Sequence, residues 1–300
     1  MLCVCFCVKL YNDKNNDHDT NTFLLHFIAN AIFDVIQAIA VLVYQKFLHW
    51  RFFISFYLSS TWIKKTYAPI LYMSIMGSVL GCTFTVVNRY CALCHIVYFR
   101  EKWTKKLCFK LITLQFFLPI FCYSFNLLFV TDVIYVEYFD FYTFTITNNM
   151  ASMTNNVILS TSTFIASVIT VVLNIIIIQK YNKIMINTSS REKSKRFLML
   201  LYMVVTSLCL VALFIEQFVR LMFGIYNDKN GIYFLTFVLY WIIPTFTLVQ
   251  PVITLIMSKH LRYYFYNFYF HRVLPRRFAE DKSIVKKTTV TAIKKTTIHI

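Results

Sequence analysis

Asn88-Arg89-Tyr90 puts a permanent cation where an uncharged run ends. A guanidinium in that place can snorkel to the water interface as an anchor. It can also be one part of a switch that yields when its neighbours move. Two acids stand inside other apolar runs, where an ionisable group is costly and points to function. Asp34, in FIANAIFDVIQAIAVL, is either a carboxylate in a polar or ion-binding network or an acid hydrogen-bonded to a neighbour's Ser, Thr or Asn. Glu216, in CLVALFIEQFVRLMF, has Arg220 one turn later, so it either closes a local pair or faces a ligand; Trp241, in the last span, is the other candidate for a ligand contact. Cys91-x-x-Cys94 with His95 adjacent is a thin metal pattern, and ordinary buried thiols fit it better. There is no Gly-rich phosphate loop and no His-Glu-x-x-His. The expectation is therefore no enzyme, no cofactor and no metal.

The elements that carry these residues follow from composition. Of 300 residues 58% are hydrophobic and 14% are charged, and the mean hydropathy is +0.60. A soluble domain carries about 25% charge. Here the apolar residues come in blocks long enough to cross a bilayer as helices, about 20 residues each. They lack the strict alternation that a membrane barrel requires. The fold class expected is all-α, a polytopic membrane helix bundle. Its spans fall near 22–45, 67–90, 107–129, 157–179, 197–222 and 232–258, preceded by a partial span at 1–10. The bundle is expected to occupy 1–258, and 259–300 to form a basic tail with an interfacial helix near 260–275. With four glycines in the chain, packing is expected to rest on Ser, Thr, Ala and Phe rather than on Gly-xxx-Gly contacts.

Loop charges orient the bundle. Of the 30 Lys and Arg, only Lys46, Arg51, Lys64, Lys65, Arg220 and Lys229 fall on one side. The rest, with Arg89, fall on the side of FREKWTKK and the basic C-terminus, which is therefore expected to be cytoplasmic. The loop 130–156 has no cation, only Asp132, Glu137 and Asp140. The net charge of +17 is accounted for by anionic lipid and calls for no nucleic acid. Pro244 and Pro251 interrupt the last span and invite kinks, with Gln250 able to satisfy freed backbone groups. No cysteine falls in an outer segment, so no disulfide framework is expected.

In order and spacing these features resemble a rhodopsin-like seven-helix receptor, and more narrowly the nematode serpentine chemoreceptors of the gamma superfamily, class gamma or a sister class such as V. The residues that carry the resemblance are Asn88-Arg89-Tyr90 and Phe99-Arg100-Glu101-Lys102-Trp103. Gln250-Pro251 with Ser258-Lys259-His260-Leu261-Arg262 and the stretch NTFLLHFIANAIFDV add to them. The resemblance implies a chemosensory G-protein-coupled receptor. It would bind a small odorant-like molecule among the third, fifth, sixth and seventh helices, and activate a heterotrimeric G protein from inside. Asn88, Arg89 and Tyr90 would form the coupling switch and Gln250 and Pro251 the hinge of the last helix. Asn88 stands where that family usually has an acid, so Glu192 becomes the nearest candidate partner for Arg89. An aromatic, weakly acidic outer face favours small apolar or mildly basic ligands. The alternative is a transporter or channel subunit, which would need polar residues lining a path, whereas Asp34 and Glu216 are isolated.

Overall fold

A computed structural model describes residues 18–184 and 190–257, some of them, including Glu192, Gln250 and Pro251, as backbone only. The partial span expected at 1–10, the basic tail and its interfacial helix lie outside the described residues. Six long helices follow in order: α1 His18–Ala40, α2 Thr61–Cys94, α3 Lys105–Tyr123, α4 Asn149–Ile184, α5 Ser190–Ile225 and α6 Lys229–Met257. Among the described residues each contains a stretch long and apolar enough to cross a membrane, and six such crossings put the start of α1 and the end of α6 on the same side.

The helices are built inside out relative to a water-soluble bundle. On α4 the buried stripe is Asn155, Leu159, Thr163, Ala166, Thr170 and Asn174, while Phe164, Ile165, Val168, Ile169 and Val172 face outward. Outward apolar residues on this scale need a lipid solvent. The buried hydroxyls bond backward along their own helix, Thr163 to the Leu159 carbonyl at 2.8 Å and Thr170 to that of Ala166 at 2.9 Å. Asn174 reaches across instead, donating to the Met203 carbonyl at 2.9 Å and to the Ser207 hydroxyl, and so ties α4 to α5.

α2 is the axis of the bundle: 67% of its apolar window is buried, against 22% for α3. Its close approach to α1 corrects one sequence expectation. Gly77-Ser-Val-Leu-Gly81 is a Gly-xxx-Gly pair, and α1 packs directly onto it. A methyl at Gly77 would meet the Phe33 ring at 2.2 Å, and one at Gly81 would meet Asn30 Oδ1 at 1.8 Å. Only glycine lets the two helices approach this closely.

Helix ends are also explained locally. Thr104 starts α3 by accepting a hydrogen bond from the Leu107 N–H at 3.4 Å. α1 passes into a π turn over Val41–Lys46, held from outside by the Tyr44 hydroxyl, 2.8 Å from that of Thr66. Phe53 ends the following loop in the left-handed region at φ 58°. Pro69, Pro119 and Pro244 are accommodated within continuous helices; the Thr247 hydroxyl bonds the Pro244 carbonyl at 3.0 Å.

The all-α expectation omitted one element. Between α3 and α4 the chain forms an antiparallel hairpin, β1 Thr131–Val136 and β2 Phe141–Ile146, with Thr131 opposite Ile146 and Val136 opposite Phe141. Its turn uses Asp140 in the left-handed region at φ 51°, a conformation that Asp tolerates better than most residues.

Candidate functional site

The hairpin closes one end of the bundle as an aromatic plug. Phe144 stacks on Tyr67 of α2 at 4.4 Å and 15°, with the edges of Tyr44 and Tyr57 against it. Phe141, fully buried, packs on His49 and Tyr240. Cations of that same end hold the plug: Lys64 pairs with Asp132 at 2.8 Å and Arg51 with Asp140. The hydrogen bond from Tyr135, helped by Arg51, holds the Asp140 carboxyl below the usual carboxylate range. Two of the loop's three acids thus serve the lid itself.

Beneath the plug lies a buried ion pair. Arg220 donates from Nε and Nη2 to Glu216 Oε1 at 3.0 and 2.7 Å, and from Nη1 to the Thr236 hydroxyl of α6 at 3.1 Å. Gln217 donates to the other carboxylate oxygen. Tyr67 and Tyr72 of α2 lie within the electrostatic reach of Arg220, and Tyr72 stacks on Tyr123 at 5.5 Å. The local pair expected from sequence is present, but it also clamps α5 to α6, and both carboxylate oxygens of Glu216 are already engaged. Trp241 does not line the interior. Its neighbour Tyr240 is 2% exposed and points in, so the next residue, about 100° further round the helix, turns outward at 64% exposure. Its ring faces Lys46 Nζ at 4.5 Å.

Beside the hairpin a cavity of about 520 Å³ opens between the end of β2, the start of α4, the end of α5 and the start of α6. Among the described residues that line it Lys229 is the one basic side chain, and none is Asp, Glu or His. Two of the loop's three acids, Asp132 and Asp140, are engaged in the lid's own tethers and not in this wall.

Asp34 sits mid-bundle in a network. It accepts from Asn30 Nδ2 at 3.1 Å and from the Ser78 hydroxyl at 2.7 Å. Gln115 of α3 donates to Asn30 Oδ1 at 3.4 Å and to the Gly77 carbonyl at 2.9 Å. Three helices meet there through side chains that only the glycine pair brings within reach.

At the opposite end, Asn88 and Arg89 are buried in α2, at 2% and 8% exposure. On one side of this helix end Phe99 and Trp103 stack at 5.7 Å against Val87 and Cys91. On the other, Ile177 of α4 and Met203 of α5 pack on Val86 and Tyr90. The Tyr90 hydroxyl lies 3.2 Å from His95 Nε2. Lys180 of α4 donates to the Cys94 carbonyl at 3.1 Å, a cation on a helix C-terminus, as the helix dipole favours. Glu192, Gln250 and Pro251 lie on α5 and α6 by backbone, with their side chains outside the described residues. Among the described residues no three His, Cys, Asp or Glu side chains are grouped to hold a metal.

An apolar-jacketed bundle with an aromatic lid at one end and a buried arginine at the other defines a multi-pass membrane protein. The family model described as serpentine type 7TM GPCR chemoreceptor Srv matches residues 1–270, and the chain belongs to that family. Among curated proteins none matches the chain.

Proposed function

We propose that this protein is a chemosensory receptor of the gamma superfamily's class V kind, which binds a small molecule at the hairpin end and activates a heterotrimeric G protein from the other. The family match over residues 1–270 carries the reading. The loop charges support the orientation, with the end holding Arg89 and the basic C-terminal tail in the cytoplasm. The partners are then a lipid bilayer, an odorant-like ligand and a G protein.

In this reading Arg89, flanked by Asn88 and Tyr90, is held in the resting bundle by the contacts around the inner end of α2. The hydrogen bond from Lys180 to the Cys94 carbonyl and the packing on Ile177 and Met203 support that resting role. A ligand that prefers a bundle with its inner ends apart shifts the population toward it, by no more than its differential affinity for the two states. Gln250 and Pro251 form the hinge of α6, and Glu192 on α5 is the acid that restrains Arg89. The test is expression with a promiscuous G protein against an odorant panel. A calcium response is expected that Arg89→Ala removes and Glu192→Arg precedes with raised basal signalling. A response unchanged in a well-expressed Arg89→Ala variant contradicts the switch, and ligand-gated ion flux without a G protein contradicts the coupling.

A further inference from the structure

The loop that joins α1 to α2 carries large rings on its outside. We propose that this loop is a lipid-binding collar: its rings insert among the headgroups of the leaflet at the hairpin end and seat the lid there. The collar depends on the membrane bundle and not on signalling.

The rings form a continuous surface. Trp50, Phe52, Phe53, Phe56 and Trp62 are all exposed, Phe53 at 70%. Trp50 stands edge-on to Phe52 at 6.2 Å, Phe52 lies 6.4 Å from Phe53, and Phe56 stands edge-on to Trp62 at 6.3 Å. Single exposed apolar residues are ordinary, but a contiguous set marks contact with an apolar partner. Backbone geometry points the same way. Phe53 holds a left-handed φ of 58°, which a bulky residue adopts only when its surroundings require it. Its ring gains little inside the protein, so the compensation lies outside.

Depth and charge identify that partner as lipid. Val35, Ile39 and Leu42 on the exposed face of α1 continue at helical spacing through Lys46 to Trp50, so the collar extends the lipid-facing surface. Lys46 faces the ring of Trp241, itself exposed on α6. Trp50 lies one turn beyond Lys46, and Trp62, Lys64 and Lys65 fall in the first turns of α2. A turn rises about 5.4 Å and one headgroup layer is about 5–8 Å thick, so these cations and rings share that layer, which indoles favour. From Lys46 to Thr66 the chain has Lys46, Arg51, Lys64 and Lys65 and no acid, a charge that suits lipid phosphates.

The same loop holds the lid. Arg51, between Trp50 and Phe52, pairs with the Asp140 carboxylate and donates to the Asp140 carbonyl at 3.2 Å. Tyr57, buried four residues after Phe53, sets its ring edge against Phe144 of β2. Rings fixed in the headgroup layer therefore fix the residues that clamp the hairpin.

Tryptophan quenching with the full chain, one copy per lipid nanodisc, tests the depth. Trp50→Phe and Trp62→Phe remove exposed side chains, so each difference from wild type isolates one indole's emission. That emission is expected to be quenched more by lipid brominated near the headgroup end of its chains than by lipid brominated near their methyl ends, and only weakly by acrylamide in the water. Strong quenching by acrylamide alone places the loop in water. Stronger quenching by the deep bromines places it in the hydrocarbon, and no quenching by either places it under protein. Each of these three overturns the proposal. For the lid, Phe53→Asn removes the ring but keeps a residue that tolerates the left-handed region. It is expected to lower protection from hydrogen exchange over Thr131–Ile146, whereas Phe53→Trp, which keeps an interfacial ring, retains it. Protection unchanged in Phe53→Asn, or lowered as far in Phe53→Trp, overturns the seating of the lid.

Discussion

Replacing Gly81 by alanine adds one methyl group at the tightest point of the bundle. That methyl would sit 1.8 Å from Asn30 Oδ1 and 2.3 Å from Gln115 Nε2, so the neighbours must retreat by about 1.5 Å to reach van der Waals contact. Gln115 can swing away, but Asn30 is held at 3.1 Å on Asp34 and at 3.4 Å by Gln115. Its retreat gives up hydrogen bonds worth about 0.5–1.5 kcal/mol each. Overpacking adds about 1–3 kcal/mol. A loss of roughly 2–4 kcal/mol is expected, read as a lowered midpoint in thermal unfolding of detergent-purified protein. Gly224→Ala is the internal control, because its Cβ enters open space; it should be neutral or stabilise by up to about 1 kcal/mol through helix propensity. Asn30→Ala vacates the clash, so the double variant Asn30→Ala, Gly81→Ala should lose less than the sum of the two singles. A Gly81→Ala variant as stable as Gly224→Ala, or strict additivity with Asn30→Ala, refutes the close packing of α1 on α2.

Glu216→Gln leaves Arg220 buried without its counter-charge and should cost about 3–5 kcal/mol, seen as loss of monodisperse protein; Glu216→Leu with Arg220→Met should recover most of it. Because the Asp140 carboxyl is held below its ordinary value, its tie to Arg51 contributes above the ordinary carboxylate range. That contribution is lost as pH falls through the depressed value, below about pH 4. Protection from hydrogen exchange over Thr131–Ile146, taken relative to the intrinsic rate at each pH, should therefore fall in acid, and Asp140→Asn should abolish that step. Lys180→Ala uncaps the Cys94 carbonyl and should raise basal nucleotide exchange on the G protein a few-fold, the scale of one hydrogen bond.

Where the spans lie was legible because charges bracket them: Lys65 and Arg89 enclose most of α2, and Lys110 and Asp132 enclose most of α3. Their ends were less so. α2 begins at Thr61, so Lys64 and Lys65 are helical. Hydropathy stops at a charge, but a helix goes on through it when the charge has a partner, as Lys64 has in Asp132. The hairpin carried a signal that was passed over. TDVIYVEYFDFYTFTI is rich in β-branched and aromatic residues and turns at Asp140, but in a chain this helical the stretch reads first as a loop. Gly77 and Gly81 were likewise in view. A scarcity of glycine says nothing about the spacing of the few present, and here two fall four apart on one helix face. The pairing of Glu216 with Arg220 followed from i,i+4 spacing. The third member, Thr236, could not be read that way because it comes from another helix. The outward turn of Trp241 depends on how α6 is rotated, which periodicity leaves ambiguous where both faces are apolar.

The central claim is that the end of the bundle holding Arg89 drives a G protein. Nucleotide exchange on a purified heterotrimer, measured with the full chain in nanodiscs, tests it most directly. Wild-type protein is predicted to accelerate exchange over empty nanodiscs, and Arg89→Ala, folded to the same thermal midpoint, to return it to background. Equal acceleration by both proteins, or none by the wild type with any heterotrimer class, would contradict the account.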